Sequence, residues 1–545
     1  MSGDVEETDA LRRGRAAFAA LRWEDAFNSL RAEDAVRSLS SSDLRLLAQS
    51  ASMTARNADA FGYRERAYAL SLSEGDELGA ATVAFWIGFR LGSIGERARS
   101  HAWLSRADDI ASRSGDNVVS GYLQLPRIHH LLHVGDIASA YTAATSALAT
   151  GDRLGDPDLS ALARQLAGRA LLENGDIDGG MRLLDEAMLL ATTGPISELS
   201  KGLVYCAVVG CCQRVFAIDR AREWSNVLDS WCRAQTQLGI FDGTCRVHRA
   251  EILKLGGAWD DALAEAQHVA DNGNSDRRER AAAHYEIGEI LRLRGDLAAA
   301  TREYERASEL GGEPQPGLAL LRLAEGSIQV AVGSIGRSVA TARDPLTRAA
   351  FLPAHVEILV AAEAVPEAAA AAEELGDIAA AYDSPLLDAL AAHATGAVAL
   401  ADARAEDALD SLRAALDLWD ELGATYAAAR TRSAIAAAFA SLGDVDGARL
   451  ETEAARSIFA ELRAAEPVAA WPGTARPSPD GILTRRELQV LRLAATGETN
   501  KAIGSALGVS ARTIDRHMSA ILLKLAVPSR AGATAYAYEH GLISD

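Results

Sequence analysis

Residues 281–314 read AAAHYEIGEILRLRGDLAAATREYERASELGGEP. Two apolar stretches of helical period flank Gly295-Asp296. A glycine ends a helix by taking positive φ, and an Asp directly after it caps the next one. The segment therefore reads as two helices joined by a tight turn. Gly288 lies seven residues before the turn glycine, and Ala300, Tyr304 and Ala307 follow it at offsets of 12, 16 and 19. Small residues at such offsets let the two helices of a hairpin cross closely.

The same pattern recurs along the first 460 residues. Gly95, Gly135, Gly175, Gly257, Gly295, Gly333 and Gly443 fall mostly near multiples of 40 apart, and most precede a helix-starting residue. Clear copies read Gly88, Ser100, Leu104, Ala107; Gly168, Gly180, Leu184, Ala187; and Gly396, Ala408, Leu412, Ala415. Weaker copies anchor near Gly14, Ala48, Ile128, Val209, Ala250, Gly326, Glu357 and Ala436. The pattern resembles the tetratricopeptide repeat, an antiparallel helix pair that stacks into a solenoid. It implies about twelve hairpins over residues 1–463. The spacing is mostly 38 to 41 residues, against about 34 in that family, so longer helices or loops are expected.

Composition agrees with an all-α chain. Of 545 residues, 49% are hydrophobic and only 5% aromatic, and alanine and leucine dominate, which favours helix. No apolar run approaches a membrane span. The N-terminus, MSGDVEETDALRRGR, lacks the apolar core of a signal peptide. Five cysteines in so long a chain are not a disulfide framework and read as reduced, mostly buried thiols in a cytoplasmic protein.

Residues 464–480, AAEPVAAWPGTARPSPD, hold four of the 14 prolines and read as an extended linker. The 481–545 segment beyond it carries eight Lys or Arg against five Asp or Glu, a balance of +3, which leaves the remainder of a −20 chain at −23. A small basic module on a large acidic body points to a local polyanion-binding site. Thr484 and Glu487 have capping-box spacing, with Leu488, Leu491 and Ala495 on one face of the helix that follows. A second helix is expected from about Asn500 to Leu507, with Ile503 and Leu507 inward. Gly508-Val509 turns the chain and Ser510 caps a third helix. There Ile514, Met518, Ile521 and Leu525 form an apolar stripe and Arg512, Asp515, Arg516 and Ser519 a polar one. Helix, short glycine-containing turn and second helix make a helix-turn-helix.

The stretch LTRRELQVLRLAATGETNKAIGSALGVSARTIDRHMSAILLKLAVPSRAGATAYAYEHGLI resembles the LuxR-type DNA-binding domain of bacterial transcription regulators, in register over about 60 residues, a ninth of the chain. The resemblance implies a four-helix module that binds promoter DNA. Lys501, Arg512 and Thr513 would meet the DNA backbone, and Asp515, Arg516 and Ser519 would face base edges. By donor and acceptor chemistry Arg516 suits guanine and Asp515 suits cytosine N4. Asp515 stands where that family more often has a basic or neutral residue; the alternative is an ion pair with Arg512 or Arg516. Ala533, Ala535 and Ala537 lie in the fourth helix, which the resemblance makes the dimer interface. His517 reads as a packing residue.

Other chemistry is weakly signalled. His129 and His133 have an i, i+4 spacing without a third ligand nearby, and no nucleotide-binding or hydrolase motif stands in convincing context. No catalytic residue, metal or cofactor is therefore assigned. Trp86, Trp103, Trp224, Trp231 and Trp259 read as core aromatics, or as the lining of a concave ligand surface. The expected protein is a cytoplasmic, homodimeric transcription regulator whose solenoid senses a peptide, protein or small molecule, with RNA polymerase as a further partner. The alternative is an interaction scaffold that uses its last domain for packing. A −23 body folding back on a +3 module would be autoinhibitory.

Overall fold

The computed structural model describes residues 8–235, 242–272 and 275–465 of the body. In the C-terminal part it describes 485–495, 498–507, 514, 517–519, 521–522, 527, 529–530 and 532–534. All regular structure among these residues is helical. Between Asp9 and Leu462 run twenty-five helices; Val118–Tyr122 and Gln124–Val134 are the two halves of one broken helix, so the body is twelve antiparallel hairpins. From the third hairpin onward, the first helix of each packs on the first helix of the next. First helices make the inner layer and second helices the outer one: a tetratricopeptide-like solenoid.

Each hairpin bends through one residue in the left-handed region. Seven are glycines (Gly95, Gly135, Gly175, Gly257, Gly295, Gly326, Gly443) and five are not (Leu21, Ala55, Phe216, Glu363, Ala403), with φ from 56° to 87°. Four of those five lie in hairpins whose anchors are among the weaker copies: Gly14, Ala48, Val209 and, in the tenth, buried Val356, one residue before the expected Glu357. The register expected for the ninth hairpin is corrected. Its turn residue is Gly326, at φ 80°, while Gly333 lies inside the helix Ile328–Thr341. The anchor is therefore Ala319, followed by Ala331, Ile335 and Ser338 at offsets 12, 16 and 19, all buried.

The anchor glycines have a direct physical reason. A methyl placed on Gly14, Gly88, Gly168, Gly288 or Gly396 would stand 2.6–3.0 Å from the side chain sixteen residues on (Leu30, Leu104, Leu184, Tyr304 or Leu412). The bulky residue of the second helix lies flat on the bare backbone of the first.

The solenoid winds tightly, so hairpins five apart touch. Trp23 in the first donates its indole N–H to Gln235 after the sixth, at 2.9 Å. Ser384, capping the eleventh, donates to the Phe216 carbonyl of the sixth at 2.9 Å, and Arg222 donates to the Leu422 carbonyl at 2.9 Å. Trp259 and Tyr426 join the seventh to the twelfth with ring centroids 5.5 Å apart, and the Ala465 amide donates to the Leu293 carbonyl of the eighth at 2.8 Å.

Candidate nucleic-acid interface

The C-terminal module has its own apolar core. Helices Arg485–Ala495 and Asn500–Leu507 contribute Val490, Leu491, Ala494 and Ile503; the residues beyond contribute Ile514, Met518, Ile521 and Ala533. The inward face of the first helix is thus Val490, Leu491 and Ala494, with Ala495 only half-buried. The side chain of Leu488, and all of Thr484, Gly508, Val509, Ser510 and Leu525, lie outside the described residues. Of the expected third-helix stripe, Ile514, Met518 and Ile521 are buried together as read.

Capping fixes the second helix. The Thr499 hydroxyl oxygen accepts from the Ala502 amide at 3.3 Å, and the Thr499 carbonyl from the Ile503 amide at 2.9 Å. This places Lys501 in the first turn with its side chain exposed. Ser519 is also exposed, one position from buried Met518. His517 is half-buried. Arg512, Thr513, Asp515 and Arg516, and Ala535 and Ala537, lie outside the described residues. Ala533 is fully buried in the module's own core.

One residue that sequence reasoning left as a bare charge organises the module. Arg530 Nη1 donates to Asn500 Oδ1 at 2.7 Å, and Nη2 donates to the carbonyls of Ala494, at 3.3 Å, and Glu498. It ties the end of the first helix and the start of the second to the segment that Ser529 begins, where the Ser529 carbonyl accepts from the Ala533 amide at 2.9 Å. The sequence signal is only that a guanidinium offers five donors in a fixed fork, suited to the unpaired carbonyls of a helix end.

Elsewhere the flagged residues do structural work. Trp103 packs edge-on against Tyr68, Trp86 joins Phe85, Phe89 and Tyr122, and the Trp231 indole donates to Glu198 at 2.7 Å. Trp259 is buried, and its indole donates to the Lys254 carbonyl at 3.0 Å, while Trp224 is half-buried. His129 and His133 lie on the exposed side of their helix. Among the described residues no group of three or more His, Cys, Asp or Glu is placed to hold a metal, and no helix is long and apolar enough to cross a membrane. Cys206 and Cys245 bring their sulfurs to 3.0 Å as free thiols. Burial holds the Cys211 thiol up at about 11.

Residues 481–537 match the family model of bacterial regulatory proteins, luxR family. The transcriptional regulatory protein LiaR of Bacillus subtilis is 42% identical over 66 residues, 12% of this chain and 31% of LiaR. The response regulator protein VraR of Staphylococcus aureus is 44% identical over 62 residues, 11% of this chain and 30% of VraR. The chain therefore spans under a third of the length of these relatives. Among solved structures it is similar to a chain of the APC/C hetero-tetramer Cut9-Hcn1, at 15% identity over 97% of this chain and 95% of that one, TM-score 0.42. It is also similar to a Rap protein complexed with Competence and Sporulation Factor, at 13% identity over 70% and 98%, TM-score 0.37. The chain is an all-α protein in which a tetratricopeptide-like solenoid precedes a helix-turn-helix domain of the LuxR family of bacterial regulatory proteins.

Proposed function

We propose that the protein is a sequence-specific, DNA-binding transcription regulator of a bacterial cytoplasm, and not an enzyme. The carrying observation is the match of residues 481–537 to the luxR family, supported by a module core that keeps Lys501 and Ser519 on the surface. Residues 1–463 are the sensor, 464–480 the linker and 481–545 the DNA-binding domain. Lys501, Arg512 and Thr513 grip phosphates, and Asp515, Arg516 and Ser519 meet base edges in the major groove. The protein binds an inverted repeat as a homodimer, with half-sites about one helical turn apart. Because Ala533 is inside the module core, the dimer contact falls to Ala535 and Ala537. The solenoid takes a small-molecule or protein effector, and RNA polymerase is the downstream partner.

Genome-wide mapping of the DNA bound by the full chain supplies the operator, and gel-shift titration on it tests the residue roles. Arg516→Ala relaxes base preference, whereas Lys501→Ala weakens all sequences alike and lowers the salt dependence by about one phosphate contact. An Arg516→Ala protein that keeps both affinity and preference sinks the recognition assignment.

A further inference from the structure

A second site lies inside the solenoid. The inner helices of hairpins ten to twelve, with Trp419 of the eleventh's outer helix and parts of the sixth, seventh and ninth, line a partly open cavity of about 350 Å³. That is within the size range of small-molecule sites. Its wall is mostly apolar, with Phe216, Leu255, Leu320, Leu390 and Ala394 among the lining residues. It exists because hairpins five apart meet: Ser384 fastens the eleventh to Phe216 of the sixth at 2.9 Å.

The polar groups in this wall decide what fits. Glu357 and Arg430 pair at 2.8 Å and cancel in charge. His393 shares a hydrogen bond with the Thr431 hydroxyl at 2.9 Å, and burial, with Arg430 nearby, pushes its pKa down to about 3, so the ring is neutral. The wall therefore has no net charge to offset the desolvation of an ion. One donor is unmatched. Trp419 lines the cavity, 3% exposed, and its indole N–H is buried with no hydrogen-bond partner among the described residues. A buried N–H left unpaired costs about 1–3 kcal/mol, but this one has no accessible surface and so supplies no donor to a guest. Pro353, also in the wall, has no N–H to give the Ala349 carbonyl four residues back, so the inner helix Pro345–Ala361 lacks one hydrogen bond where it borders the space.

We propose that this cavity is a binding site for an uncharged, largely apolar small molecule. That the guest acts as the effector rests on the regulator reading above; the binding itself does not.

The probe is Nile red, a neutral apolar fluorophore, titrated into the full-length protein. Saturable blue-shifted emission at about one equivalent per chain is expected. Ala394→Phe fills the cavity and abolishes the signal; if that variant fails to fold, Ala397→Leu serves the same purpose. Wild-type protein without saturable binding overturns the proposal, as does saturable binding that the filling variant leaves unchanged. Operator binding is measured on the same samples. Intact DNA binding without dye binding removes the cavity site alone, and dye binding without DNA binding keeps the site and removes the regulator.

Discussion

Arg530 and Asn500 are joined at 2.7 Å by a guanidinium–amide hydrogen bond, and the same guanidinium also donates to the carbonyls of Ala494 and Glu498. One side chain thus closes the helix-turn-helix against the segment that follows it. Arg530→Ala leaves two helix-end carbonyls without that donor, at a cost of about 2 kcal/mol. The expected outcome is loss of the module's protection in hydrogen exchange with the solenoid unchanged. Arg530→Lys, a point donor without the fork, restores only part of it. A fully protected module in Arg530→Ala would refute the tie.

Gly168 sits under Leu184, and an added methyl would also stand 2.9 Å from the Gly180 carbonyl oxygen. Backbone cannot step aside as a flexible side chain can. Gly168→Ala is therefore expected to destabilise the fifth hairpin by about 2 kcal/mol through overpacking, read as a lower thermal midpoint. An unchanged midpoint would mean that the two helices can separate freely there.

Ala403 holds φ 59° at the turn of the eleventh hairpin, a conformation that strains a residue with a Cβ. Ala403→Gly relieves about 1 kcal/mol of strain and returns part of it as unfolded-chain entropy. A net gain of about 0.5 kcal/mol follows. Gly95→Ala, at φ 87° in the third hairpin, moves the other way by about 1 kcal/mol. Opposite shifts of the two midpoints are the check; shifts of the same sign contradict the assignment.

Glu286 is buried beside Lys254, whose Nζ lies 2.7 Å from its carboxylate, yet burial outweighs this and pushes the Glu286 pKa up to about 7. The folded chain then holds a proton that the unfolded chain releases near 4.5. Its stabilising contribution is complete below pH 4.5 and is lost as the pH rises through about 7. The difference in stability between wild type and Glu286→Gln is expected to change by up to ~3 kcal/mol between pH 4 and pH 8, in favour of the variant at high pH. Urea unfolding at the two pH values measures it, and a pH-independent difference rules the mechanism out.

The helical hairpin was readable in residues 281–314 because a glycine turn, an Asp cap and small residues at fixed offsets all appear together. Where Leu21, Ala55, Phe216 or Glu363 makes the turn instead, that signal is missing, since nothing in a Leu or Phe announces positive φ. The ninth hairpin slipped by seven residues because Gly333 keeps the spacing of a turn glycine while lying inside a helix. In the candidate interface the buried stripe Ile514, Met518, Ile521 follows helical period and was legible. Arg530 was not, because a guanidinium that holds carbonyls looks the same in sequence as one that holds phosphate. The cavity beside Trp419 was illegible for a different reason. Its walls come from hairpins that are far apart along the chain and meet only after the solenoid has turned once.

The hydrogen bonds between hairpins five apart change how disturbance travels through this molecule. In a loosely coiled array each unit feels only its two neighbours, and damage at one end fades unit by unit. Here Gln235, Phe216 and Arg222 around the sixth hairpin reach back to Trp23 and forward to Ser384 and Leu422. Strain at the middle of the chain therefore arrives at both ends in one step, without crossing the units between. The solenoid is wired as a coil with rungs, so removing the last two hairpins would also strip support from the sixth and seventh.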